Sequence, residues 1–575
     1  MGMIIRYKFR HFSFSIAAIA FCLLIAAHSE DKTNDSKTDP LKITAHSDLV
    51  LVPALVTDKS GNHISGLKQE DFTLLENGTA QKIATFEEVT SNAAQVARAV
   101  KENEFSNSLS GNGQAARVTI IVLDFINTPF MAQADARKQL LKYLAQSADA
   151  REPTGLYTLT RTGIEVIHDF TSDPAILAAA LKMVNGNVDQ IVDDLGMSGS
   201  GSSSPGGDAA SHQGSKSSSH TAAQKESQAL QKLAQDPEQN FRAFEQRIAI
   251  TYTLEGLQQI AQAVSGIPGR KSLIWASGGF PFNVSDNMQL SPGRDSLIDV
   301  LPLYEHTWQL LNQAQIALYP VDVKGLRVLP ITSGSGGNPK KFSQQKARWR
   351  ELDTQSSFDV FASATGGRSY FGSNDLAKGF RDAVNDSSEY YMLGYYRDSS
   401  QTKPGWRKLT VKTDRDHVAV RARSGFYLSD ANSDPAKNRS LDISTALQSP
   451  VDFTSLSLVA RWNKVEAGKE PGTKHVNYEV RIAPGAALID DSDKNHLVLD
   501  FVALAKAPDG KLAGQPMGQK VDVHLPPERL TAIRQQGVLY TDAVDLAPGD
   551  YNVRFVVRDD LSGRTGSVSA PLKVE

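Results

Sequence analysis

The segment Val118-Thr119-Ile120-Ile121-Val122-Leu123 is an unbroken run of β-branched and aliphatic residues that stops at Asp124. A strand with one face in water alternates apolar and polar residues, whereas a run without alternation needs cover on both faces, as in a parallel sheet clothed by helices. Lys271–Ala276 and Ile316–Val321 are runs of the same kind, and Leu156–Leu159 and Ile164–Ile167 are strand-like. Between them lie helical segments: about Pro129 to Gln146, a stripe carrying Phe241, Phe244, Ile248, Leu257, Ile260 and Val264, Tyr304 to Gln313, and about Asp375 to Asn385. With the tyrosine-rich run Tyr390–Tyr396 as its last strand, this alternation over residues 117–396 predicts an α/β domain. The expected core is a doubly wound, mostly parallel sheet with right-handed crossovers.

A chain of 575 residues is too long for one core and needs several. Residues 1–29 read as a signal peptide: Arg6, Lys8 and Arg10 precede an apolar run from Phe12 to Ala27, too short for a bilayer span, and Ala27-His28-Ser29 offers small residues for cleavage. Residues 30–45 form a polar linker. The one cysteine, Cys22, lies inside the signal, so the mature chain has no disulfide, thiolate metal site or cysteine nucleophile. That suits an exported protein, periplasmic or extracellular, stabilised by packed cores. The 61 basic and 64 acidic residues give no basic footprint for nucleic acid, and no stable membrane span is expected after signal cleavage.

Two β-rich regions flank the α/β rhythm. Residues 46–90 read as an N-terminal β module with turns at Asp58–Asn62 and Glu76–Gly78. Residues 397–430 read as a β-hairpin extension of the α/β sheet, built from Leu409–Lys412 and Val418–Arg423. Polar residues 430–448 separate a final unit, and residues 450–575 carry only strand and turn signals, the pattern of a C-terminal β-sandwich. Inside the α/β region, the Ser/Gly-rich residues 196–228 have too little apolar surface to order themselves and read as a disordered insertion. Residues 332–350 are a second polar excursion.

Ligands of open α/β sheets sit beyond the carboxyl ends of strands, which makes Asp124 the first place to look for a site. Asp124-Phe125-Ile126-Asn127-Thr128 resembles the Asp-x-Ser-x-Ser signature of von Willebrand factor A domains. The resemblance widens through Val56–Gly61, Gly66–Phe72, His168–Asp173, Gly269–Ile274, Ala364–Gly367, Tyr391–Tyr396 and Arg421–Tyr427 to the von Willebrand factor A-related proteins of acidobacteria, over residues 46–430. It implies a von Willebrand factor A-like fold, an adhesion-type or scaffolding protein, and a metal site for Mg²⁺ at Asp124, Asn127 and Thr128. That site is degenerate: Ile126 stands where the signature has its first serine, and Ser277 stands where a second carboxylate belongs. Each missing oxygen weakens a Mg²⁺ site. Thr128 before Pro129 is equally a helix N-cap, Asn127 a turn residue, and Asp322 either a further carboxylate or the start of a turn.

Other chemistry finds little support. Ser277 before Gly278-Gly279 lacks the glycine that a nucleophile elbow needs two positions earlier, where Trp275 stands. No H-E-x-x-H, Walker A or EF-hand loop occurs, Asp490-Asp491-Ser492-Asp493 reads as a solvated turn, and the twelve histidines show no ligand spacing. The expectation is a non-enzymatic protein that binds a protein or cell-surface ligand. Its alternative is a structural envelope scaffold without metal-dependent binding. Tyr390, Tyr391, Tyr395 and Tyr396 read either as a binding face or as strand residues packed into a core.

Overall fold

The computed structural model describes residues 47–90, 103–108, 118–146, 152–184, 237–281, 300–325, 355–373, 375–386, 389–398, 404–428, 435–468 and 470–575. The segments read as signal (1–29), linker (30–45), insertion (196–228) and second polar excursion (332–350) lie outside them.

Strand Thr119–Asp124 is buried at every position because its two faces meet different helices. Ile120 and Val122 pack with the helix Pro237–Val264 and the helix Leu301–Gln313, through Leu254, Leu257 and Trp308. Ile121 and Leu123 pack the other way, against Leu140 and Leu144 of helix Phe130–Gln146 and Phe380 of helix Leu376–Asn385. Strand Lys271–Ser277 lies parallel to it, with strand Ile316–Asp322 parallel beyond. Strand Thr154–Thr160 is parallel on the other side, and strand Gly163–Thr171 closes the sheet antiparallel.

This sheet is mixed, has five strands, and is one of five among the described residues. The other four described sheets have four strands each and pair antiparallel throughout. The expectation of a doubly wound, mostly parallel α/β fold of the von Willebrand factor A kind is therefore corrected: the molecule is mostly β. Buried apolar runs reveal strands covered on both faces but carry no information on how much of the chain pairs antiparallel elsewhere.

Strand Tyr390–Asp398 illustrates the difference. Instead of completing the α/β sheet, it pairs antiparallel with Ser47–Thr57 and Thr85–Val89. Leu409–Lys412 and Val418–Arg423 do not form a hairpin with each other. Strand Gly405–Thr413 pairs with Phe72–Glu76 and Gly425–Leu428, and strand Ala419–Ala422 pairs with Ser47–Thr57. Both chain regions thus share one core of Val52, Val56, Leu74, Tyr391, Tyr395 and Leu409, among others. Tyr390, Tyr391 and Tyr395 are buried and only Tyr396 is exposed, so this run is packing rather than a tyrosine face.

In the C-terminal region, the sheet of Leu458–Ala467, Lys474–Ile482 and Val538–Leu546 shares a core with that of His496–Lys506, Leu512–His524, Gly549–Asp559 and Thr565–Val574. The short strand Glu104–Ser106 completes the first of these sheets, and Asn107 fixes it there by donating to Phe453 O and Leu456 O and accepting from Leu458 N. Polar residues 435–448 form a helix. Arg439, Asp442 and Ala446 fall on one face of it, three and four residues apart. They meet Asp500, Arg558 and Arg554 of the sheet below. Arg554 is buried and spends its donors on Ala446 O, Val451 O, Asp452, Ser567 and Ser569.

The core of the mixed sheet continues into this interface through Ala446, Val451, Phe453 and Val556. Gly266 marks the closest approach: a Cβ there would sit 1.7 Å from Thr454 O. Among the described residues no helix is long and apolar enough to cross a membrane.

Candidate functional site

Asp124, Asn127 and Thr128 come together at the carboxyl end of strand Thr119–Asp124, and all three are buried. The turn forms because the Asp124 carboxylate reaches three residues ahead: Oδ1 accepts from Asn127 N (2.9 Å) and Oδ2 from Asn127 Nδ2 (2.8 Å). The neighbouring strand supplies two further donors to Oδ2, Trp275 Nε1 at 3.1 Å and Ser277 Oγ at 2.8 Å. Three of these bonds fall on Oδ2 and one on Oδ1, so both Asp124 oxygens already accept from the protein itself. Burial pushes the Asp124 carboxyl above its ordinary value, opposed by these four hydrogen bonds.

Asn127 Nδ2 also donates to Thr253 Oγ1 at 2.9 Å, linking the turn to helix Pro237–Val264. Thr128 Oγ1 accepts from Gly278 N at 2.9 Å, so its hydroxyl ties the turn to strand Lys271–Ser277. Glycine is required at 278, where a Cβ would lie 2.7 Å from Asn127 O. Asp322 is buried one strand further along, and its Oδ1 accepts from Lys324 N, the turn-starting role. Ile126 is buried in the core.

A Mg²⁺ site needs several oxygens converging with free lone pairs. Here the Asp124 oxygens and the Thr128 hydroxyl already accept hydrogen bonds, which leaves Asn127 Oδ1 as the unpartnered oxygen of the set. The residues present therefore fit a closed hydrogen-bonded node better than a cation cradle. Trp275, Ser277 and Thr253, which complete the node, were not among the ligands that the sequence suggested. Ser277, where the resemblance implied a second carboxylate, donates to Asp124 directly.

A second cluster lies on the C-terminal sheets, where the sequence showed no ligand spacing. His496 and His524 are direct cross-strand partners, with rings stacked 4.4 Å apart. Asp493 reaches both, at 3.2 Å from His496 Nδ1 and 3.5 Å from His524 Nε2. Asp522 takes the other nitrogen of His496, Nε2, at 2.7 Å, and that hydrogen bond holds the imidazole above its ordinary pKa. The missed signal was hairpin register: counting back from the turn Pro508-Asp509-Gly510, with Lys506 opposite Leu512, places His496 opposite Asp522. The bulge between Ala503 and Ala505 shifts the partner to His524.

No family model matches this chain, and no curated protein matches it. Among solved structures, proximal thread matrix protein 1 from the mussel byssus is similar over 48% of this chain and 48% of its own, at 8% identity and a TM-score of 0.21. The match thus spans about half of that protein's length, and a likeness of that size carries no argument about fold or function.

Proposed function

We propose that the protein is an exported, non-catalytic scaffold that binds a protein or cell-surface ligand without a metal ion at Asp124. The observation that carries this reading is the closure of the Asp124 node: the carboxylate is buried and both of its oxygens accept hydrogen bonds from its own chain. Supporting it is the fastening of the regions to one another. Asn107 and Arg554 spend buried hydrogen bonds on joining distant segments, as suits a body that transmits or bears load better than one that opens around a substrate.

The test is calorimetric titration of the tag-free chain lacking residues 1–29 with Mg²⁺, beside the Asp124→Ala variant. The expected result is no saturable heat that depends on Asp124. Saturable Mg²⁺ binding abolished by the substitution would overturn the reading.

A further inference from the structure

The geometry points to a binding site for a divalent ion of the zinc type, formed by Asp493, His496 and His524 on the C-terminal sheets. One ligand atom from each of these residues lies within 4.8 Å of the other two. Two imidazoles and a carboxylate suit Zn²⁺, Ni²⁺ or Cu²⁺ and not Mg²⁺, which demands oxygens.

The hydrogen-bond pattern separates this cluster from an ordinary group of surface charges. Asp522 accepts from His496 Nε2, and in a neutral imidazole that assigns the proton to Nε2 and leaves the Nδ1 lone pair facing Asp493 Oδ2 at 3.2 Å. Two acceptors at that distance repel unless a positive charge sits with them, either a proton or a cation. Among the described residues neither His496 Nδ1 nor His524 Nε2 makes a hydrogen bond, although Asp493 stands at ion-pair distance from both. The carboxylate behind the ligating imidazole is the arrangement that orients histidine ligands in metal sites. Asp522 is itself flanked by Lys520 Nζ at 3.8 Å.

The scaffold holds the ligands on two different supports. His496 and His524 are opposed across a strand pair, and Asp493 comes from the turn before it, closed by reciprocal backbone bonds between Asp490 and His496. Three protein ligands leave at least one coordination position for water or for a donor from a bound partner. This assignment is independent of the Asp124 reading, because the two sites share no residue and lie on different sheets.

The experiment is isothermal titration of the EDTA-treated, tag-free chain lacking residues 1–29 with Zn²⁺, compared with His524→Ala and Asp522→Asn. Both substituted side chains are half exposed, so neither variant removes core packing. Wild type should show one more Zn²⁺ equivalent than His524→Ala, and Asp522→Asn should keep that equivalent with affinity weakened by about 10- to 100-fold. Cobalt(II) loaded in place of zinc should give visible absorption in wild type that His524→Ala loses. Equal stoichiometry in wild type and His524→Ala would overturn the proposal and leave the cluster an ion-paired surface.

Discussion

The Asp124 carboxylate in the mixed sheet and the Arg554 guanidinium in the C-terminal sheets are both buried, and burial pushes each toward its neutral form. They are held differently. Asp124 is held by neutral donors, from its own turn and from the next strand. Arg554 reaches out of its sheet to the carbonyls of Ala446 and Val451 and to the Asp452 carboxylate. The first arrangement shapes a loop within one sheet; the second fastens one part of the chain to another. A buried charge at a strand end is therefore no sign of chemistry until its partners are counted.

The sharpest way to break this contrast is Arg554→Ala. Removing one side of a buried, hydrogen-bonded pair typically costs about 3–5 kcal/mol, so chemical denaturation should show a loss of that size, with the C-terminal sheets exposed first to proteolysis. Asp124→Ala leaves the buried Trp275 Nε1 and Asn127 Nδ2 each short of an acceptor and should cost about 3 kcal/mol by the same measurement. If Asp124→Ala proved neutral, the node would not hold the loop.

Gly266→Ala forces a Cβ toward Thr454 O and should cost about 1–3 kcal/mol, and it should do so by loosening the junction, visible as faster amide exchange around residues 451–456. Stability should also depend on pH, by a small amount per unit. Lys271 is buried with its Nζ 2.6 Å from Ile267 O, and burial lowers its pKa to about 7. Between about pH 7 and the unfolded value near 10.5 the unfolded chain holds a proton that the folded chain has released, so stability rises with pH there. Relative to Lys271→Met, wild type should gain up to about 1.4 kcal/mol per pH unit across that window. A flat difference would mean that the ammonium stays charged in the fold.

The sequence exposed what local pattern can expose. Val118–Leu123, Lys271–Ala276 and Ile316–Val321 announce strands because burial on both faces removes alternation, and in the structure these three lie side by side in parallel. Pairing partners far along the chain leave no such trace: Leu409–Lys412 alternates identically whether it meets a hairpin mate or strand Phe72–Glu76. Residues 435–448 hide as a helix because the face they bury sets Arg439 and Asp442 beside the small Ala446 rather than carrying a broad apolar stripe. At the site, Asp124 was visible as the acid ending a strand. Its enclosure was not, because Trp275 reads as one more apolar strand residue until its indole N–H is seen to reach the carboxylate.

The pairing of Ser47–Thr57 with Tyr390–Asp398, and of Glu104–Ser106 with Leu458–Ala467, has a consequence for how the molecule comes into being. A chain emerging amino end first, from a ribosome or through a pore, must keep its earliest segments unmated while most of the polypeptide is still to come, and such waiting strands invite wrong partners. Assembly is therefore expected to be slow and late, and to depend on whatever guards the nascent chain. Cutting the gene between these segments would yield pieces that each lack a strand the other provides.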